Sequence, residues 1–258
     1  MTNPHMRYPV MSQSLRLART IAPQAMQEII DIGVQVKTDF LMAVFPDRHH
    51  HLFEPSPAYH AKLEENYRAA GVDYTLHKIA LSDADGILHL HETSVDGSGR
   101  VTHTQIRPER DEAMPFLVGI KEIPTRRLDT VFAQQPPADL SYLVKLDVDG
   151  VEEQIIAGGQ QVLRNASFII IETSISRQDL CRRAALLEQL GFRVFDLCDN
   201  AYYYGQLALV DLVMINNRLR AAELKFRPWE YSEGKVHWPK WQHGFKHLDD
   251  TPVDDPFA

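Results

Sequence analysis

The run Tyr142-Leu143-Val144-Lys145-Leu146-Asp147-Val148-Asp149-Gly150-Val151-Glu152 joins a short apolar strand to an acidic, glycine-bearing turn. Residues 151–163 then carry a helical pattern. Strand, acidic turn and helix form the repeating unit of a parallel sheet, because parallel neighbours need a crossover and a helix usually supplies it. The unit recurs upstream. Residues 28–33 read as a buried strand ending in a tight turn, and 38–45 as a helix stopped by Pro46. A strand at 50–54, a helix at 58–70 ended by Gly71 and a strand at 74–80 follow. Downstream come a strand at 168–172 and a helix at 178–189. Two closing strands, 192–197 and 207–215, have no clear helix between them and read as an antiparallel pair. Between these units, 86–92 alternates as a further strand and 94–110 is a polar loop. Residues 120–128 are extended, and Asp129 caps a short helix. The expected fold is α/β: one doubly wound, mostly parallel sheet with helices on both faces.

The chain has 258 residues, 44% hydrophobic and 24% charged, an ordinary globular balance. The expected division is an N-terminal extension (1–27), one main domain (28–217) and a tail (218–258). A net charge of −8 opposes non-specific binding to nucleic acid. No apolar run approaches the length of a membrane span, and no apolar signal core follows Met1, so a cytoplasmic protein without membrane partners is expected. Cys181 and Cys198 lie too far apart for a redox pair or a cysteine-rich zinc site and read as two buried thiols. The tail holds Trp229, Trp238 and Trp241. It reads as an extension packed on its own domain or on a second subunit in a homodimer, with a lid or a sugar-stacking platform as the alternative.

In open α/β sheets, ligands bind beyond the carboxyl ends of the strands. Those ends are acidic here: Asp31, Glu54, Asp83, then Asp147, Asp149 and Glu152, then Glu172. Glu54 falls twenty-three residues after Asp31. A carboxylate at that point accepts hydrogen bonds from both hydroxyls of an adenosine ribose and repels a 2′-phosphate. Asp31 suits a ligand bearing an amino group or a sulfonium. The turn Gly33-Val34-Gln35-Val36-Lys37 has a single glycine, so the fingerprint of a dinucleotide dehydrogenase is missing.

The order Ile30-Asp31-Ile32-Gly33, Phe53-Glu54-Pro55-Ser56-Pro57, Ala80-Leu81-Ser82-Asp83 with Gly86, Arg127-Leu128-Asp129, the quoted 144–152 run and Ala157-Gly158 resembles the FkbM-type methyltransferases, which use S-adenosylmethionine. The resemblance covers about residues 28–215. It implies a seven-stranded class I methyltransferase sheet whose last strand is antiparallel. It places Asp31 and Gly33 by the methionine part of the cofactor, Glu54 on the ribose, Ser82 and Asp83 by the adenine, and Asp147 at the methyl-transfer end. The chain departs from the family pattern at two points. Lys37 stands where a second glycine is usual, following Val34-Gln35 in place of Ala-Asn, and Asp149 stands where Glu is usual. Lys37 either blocks the methionine arm or pairs with the cofactor's carboxylate.

The resemblance makes O-methylation of a sugar or another small hydroxylated metabolite the expected reaction. Asp147 and Asp149 are the candidate bases for the acceptor hydroxyl. Crowding among Asp147, Asp149, Glu152 and Glu172 should raise at least one carboxyl pKa. Capping of the following helix by Glu152 and pairing of Glu172 with Lys145 are the structural alternatives. A divalent metal held by the acidic crowd, orienting a diol acceptor, is a further alternative, but no metal site is expected; His49, His50 and His51 precede a strand, where neighbouring side chains point to opposite faces and cannot all reach one ion. The alternative function is a binding or scaffold protein with this fold and no turnover, in which Lys37 closes the site.

Overall fold

The computed structural model describes residues 10–175, 179–219, 230–232 and 235–237. Helix α1 (Met11–Ile21) leads into β1 (Glu28–Ile32), α2 (Asp39–Val44), β2 (His49–Phe53), α3 (Pro57–Ala70) and β3 (Tyr74–His77). An excursion follows through β4 (Ala80–Leu81), β5 (Gly86–Thr93), β6 (His103–Arg107) and β7 (Leu117–Arg126). The chain returns through α4 (Leu128–Val131), β8 (Tyr142–Leu146), α5 (Glu152–Gly158), α6 (Gln160–Asn165) and β9 (Phe168–Ser174). Helix α7 (Asp179–Gln189) and the hairpin β10 (Phe192–Tyr203) and β11 (Gln206–Asn216) come next. Two short strands, β12 (Glu230–Ser232) and β13 (Lys235–His237), pair with each other.

The main sheet has seven strands in the order β10-β11-β9-β8-β1-β2-β3 and is mixed. Strands β3, β2, β1, β8 and β9 run parallel, while β11 is antiparallel to both β9 and β10. The chain moves outward from β1 to β3 and then returns to β8 on the other side of β1. The carboxyl ends of β1 and β8 therefore flank a switch point, where the loops diverge and leave a crevice.

Strand alternation divides the core between the two faces. Ile30, Val144, Ile169 and Ile171 pack on one face with Leu212 and Met214. Ile29, Leu143, Ile170, Val213 and Ile215 pack on the other, where α1 inserts Met11, Leu15, Ala18 and Ile21.

Several expectations are corrected. The expected single sheet has a companion, a four-stranded sheet in the order β4-β7-β5-β6. Residues 94–110, expected as a loop, contain β6, a polar strand of half-buried residues whose ladder comes from β5 rather than from any apolar alternation of its own. The strand expected over 74–80 divides, because Ala80 and Leu81 pair with Thr125 and Arg126 of β7 and leave the main sheet. The helix expected over 151–163 breaks at Gly159. Asp129 does not cap α4; its carboxylate accepts from the amides of Gln161 and Val162 and so starts α6. Cys198 is buried, but Cys181 is exposed, since the buried face of α7 runs through Asp179, Arg183 and Leu187. Trp229, Trp238 and Trp241, with the roles expected of them, lie outside the described residues. No helix among the described residues is long and apolar enough to cross a membrane.

Candidate functional site

Gly33 closes β1 with φ +85°, a left-handed conformation natural to glycine. Its N–H donates to the Phe53 carbonyl at 3.0 Å, and the Asp147 N–H donates to the Ile32 carbonyl at 3.1 Å. A Cβ on Gly33 would lie 1.8 Å from the backbone oxygen of Asp147, so only glycine lets these strand ends meet. At this junction opens a cleft of about 500 Å³, within the range of small-ligand sites. Gly33, Lys37, Glu54, Asp147 and Asp149 all line it. Asp31, Ser82 and Asp83 are not among its lining residues.

Glu54, just past the end of β2, is buried. Its Oε2 accepts the Gln35 N–H at 2.9 Å and its Oε1 accepts the Ser56 N–H at 2.7 Å. Burial pushes its pKa up to about 7, and the negative charge of Asp31 adds to the rise. The two amides and Lys145 oppose that rise.

Asp31 stands in register with Lys145 on the neighbouring strand. The Lys145 ammonium lies 3.3 Å from Asp31 Oδ1 and 3.0 Å from Asp147 Oδ2, and it donates to the Gly33 carbonyl at 3.4 Å. Burial alone would lower its pKa, but the two carboxylates outweigh burial and raise it. The expected pairing of Lys145 with Glu172 gives way to these two ion pairs. Lys145 faces Ile170 across β9, and Glu172 lies two residues further along, opposite Asp211. Burial raises the pKa of Glu172, with Asp147 and Asp149 adding to it, and burial likewise brings Asp211 to about 7. The acidic crowd is present, but burial outweighs repulsion in it. Glu152 is tied elsewhere: in the first turn of α5 it accepts from Arg183 Nη2 at 2.7 Å.

Residues 31–194 match the family profile of the methyltransferase FkbM domain. The chain belongs to the FkbM methyltransferase family. A 2-O-methyltransferase, NoeI, of Sinorhizobium fredii (strain NBRC 101917 / NGR234) is 28% identical over 154 residues, which are 57% of this chain. The matched segment spans 63% of that relative's length. An rRNA methylase from Streptococcus thermophilus is similar in structure, with a TM-score of 0.47 at 9% identity over 81% of this chain and 97% of that one. M. jannaschii TYW2 in complex with AdoMet gives a TM-score of 0.41 at 10% identity over 82% and 79% of the two chains.

The departures of this FkbM chain from the family pattern have visible surroundings. Lys37 stands at the cleft rim with its Nζ 2.9 Å from Asp39 Oδ1, both side chains well exposed. Gln35 has φ +57°, a region where Asn is far commoner than Gln. Its Nε2 donates to the Thr102 carbonyl at 2.9 Å. Sequence reasoning missed this bond, because it joins residues that no local pattern links. Residues 94–110, read as a polar loop in which His103 could face an acceptor, contribute through β6, whose His103, Thr104 and Ile106 line the cleft. Ile79, Ala80, Leu81, Val151 and Ile155 form an apolar wall of the same cleft. Of the three consecutive histidines, His49 and His51 share a face, their ring centroids 4.7 Å apart, and meet Asp73 and Glu28, while His50 turns away to the Phe45 carbonyl.

Proposed function

We propose that this chain is an S-adenosylmethionine-dependent methyltransferase acting on a hydroxyl of a sugar or another small hydroxylated metabolite. The observation that carries the proposal is Glu54. Each of its carboxylate oxygens receives one backbone N–H, which leaves further lone pairs on a carboxylate that lines the cleft. Those acceptors fit a ribose diol, whose two hydroxyls donate. The cofactor, when bound, supplies an electrophilic methyl group on a sulfonium.

The chain's own residues then have the following roles. Glu54 accepts from the ribose hydroxyls. The apolar wall of Ile79, Leu81, Val151 and Ile155 takes a flat base. Lys37 meets a carboxylate at the rim. Gly33 keeps the floor bare of side chain, and Asp31 acts from behind by holding Lys145. In-line transfer depends on alignment, which is worth roughly 7–11 kcal/mol when it is complete. Asp147 is oriented by Lys145 and Asp149 stands at the mouth. Either carboxylate receives the acceptor's hydroxyl proton, a step worth about 10²–10⁴-fold. The scaffold alternative needs Lys37 to close the cleft, and its pairing with Asp39 at the rim speaks against that.

The test is transfer of label from methyl-tritiated S-adenosylmethionine to a panel of methyl glycosides and small diols. Labelled methyl ether on one of them is expected. Cofactor binding with no transfer to any hydroxyl overturns the acceptor class.

A further inference from the structure

Two side-chain hydrogen bonds that join the crevice loops to the four-stranded sheet converge on one carboxylate. Both residues whose amides hold Glu54 are anchored through their side chains to the four-stranded sheet. Gln35 gives its N–H to Glu54 and its Nε2 to the carbonyl of Thr102, the residue preceding β6. Ser56 gives its N–H to Glu54 Oε1 and its hydroxyl to Glu92 Oε1 of β5, at 2.8 Å. Glu92 is buried, sits opposite Thr104 of β6 and is itself fixed by Lys121 of β7 at 2.9 Å. Helix capping does not call for this arrangement, since the Ser56 hydroxyl caps α3 by accepting from the Ala58 N–H. A buried carboxylate is costly where an apolar side chain would pack, so its placement against Ser56 calls for a reason.

We propose that Glu92 and Gln35 are positioning residues for cofactor binding, through which the four-stranded sheet fixes Glu54 in the orientation that receives the ribose hydroxyls. The proposal rests on the reading of Glu54 as the ribose carboxylate. Its physical basis is that each carboxylate oxygen has one amide. Loosening either amide removes solvation from a buried charge and disfavours its ionised form. The charged and titratable groups facing the Glu54 carboxyl are Asp31 of β1, Lys145 of β8 and Tyr59 of α3, while the ring of His60 meets the Glu54 backbone carbonyl. Glu92 and Gln35 act through the amides.

The test uses the full chain with Glu92→Ala and, separately, Gln35→Asn. Asparagine tolerates the left-handed backbone and is one methylene too short for Thr102. Gln35 is exposed, so that variant keeps its fold even if Glu92→Ala does not. The first readout is the Glu54 carboxyl titration by carbon-13 NMR without cofactor. Its midpoint is expected to move upward in Gln35→Asn, which changes no charge; Glu92→Ala also removes the carboxylate beyond Ser56 and is read by affinity alone. The second is calorimetry with S-adenosylhomocysteine across the neutral pH range. Affinity is expected to fall about tenfold at neutral pH, with the pH at which binding appears shifted upward. An unmoved Glu54 midpoint in Gln35→Asn overturns the proposal, as does an unchanged affinity in a folded Glu92→Ala or a loss of affinity that is uniform across pH. A moved midpoint in a protein whose wild type binds no S-adenosylhomocysteine supports the positioning of Glu54 and overturns its reading as a ribose ligand.

Discussion

Lys145 is buried against Asp147, its Nζ 3.0 Å from Oδ2, while the same ammonium faces the fully buried Asp31. One cation thus ties the buried carboxylate of β1 to a carboxylate that lines the cleft. Lys145→Met would leave Asp31 as an uncompensated buried charge, at a cost of about 3–5 kcal/mol. Urea unfolding measures this. Asp31→Asn combined with Lys145→Met should recover much of the loss. A single variant within about 1 kcal/mol of wild type would show that the pair does not hold the strand ends.

Gly33→Ala meets backbone rather than side chain, with its Cβ 1.8 Å from the Asp147 oxygen and a φ that alanine disfavours. Gly158→Ala has the same kind of neighbour, the Ser82 oxygen at 2.1 Å. Both substitutions should fall in the exceptional class of about 4 kcal/mol or more. Thermal melts of the two variants should show strong destabilisation or no cooperative transition; a melt near wild type would mean that the strand ends do not approach this closely.

Glu54 gives cofactor binding a pH dependence. Its folded pKa of about 7 lies above the ordinary 4.5, so its contribution to stability is full below that ordinary value and is lost as pH rises through about 7. Ribose hydroxyls prefer the ionised acceptor, so S-adenosylhomocysteine affinity should rise over that same interval. Calorimetry at several pH values on wild type and Glu54→Gln checks this. A flat profile in wild type would contradict it.

His77 is stacked on Phe53, its ring centroid 4.3 Å away. Burial, followed by the charges of His51 and His49, lowers its pKa from 6.5 to about 4. The unfolded chain therefore binds more protons between those values. The stability contribution is full above 6.5 and is lost as pH falls towards about 4. His50 and His51 are shifted in the same direction. The urea midpoint should fall from neutral to mildly acidic pH, and His77→Leu should reduce that fall. An equal fall in the variant would show that other groups set the acid limit.

The main sheet was legible because its strands are apolar and end in turn residues, and because acidic residues follow at the switch point. Gly33 and Glu54 were visible for that reason. The four-stranded sheet was not. His103-Thr104-Gln105-Ile106-Arg107 has no alternation to read, and its pairing with β5 is a long-range property. The partners of Lys145 were hidden in the same way, since pairing with Asp31 follows from strand register rather than from sequence spacing. Asp129 reads as a cap but starts α6 rather than α4, because the break at Gly159 that gives it its partner cannot be seen in a continuous helical pattern.

The most direct measurement is calorimetric titration of the full chain with S-adenosylhomocysteine, wild type against Glu54→Gln, at a pH above 7. Glu54→Gln keeps the shape and removes the charge. The account predicts binding by the wild type and a loss of roughly ten- to a hundredfold in the variant, the range for hydrogen bonds to a charged group. A folded wild type that binds nothing, or a variant that binds as tightly as wild type, would contradict it.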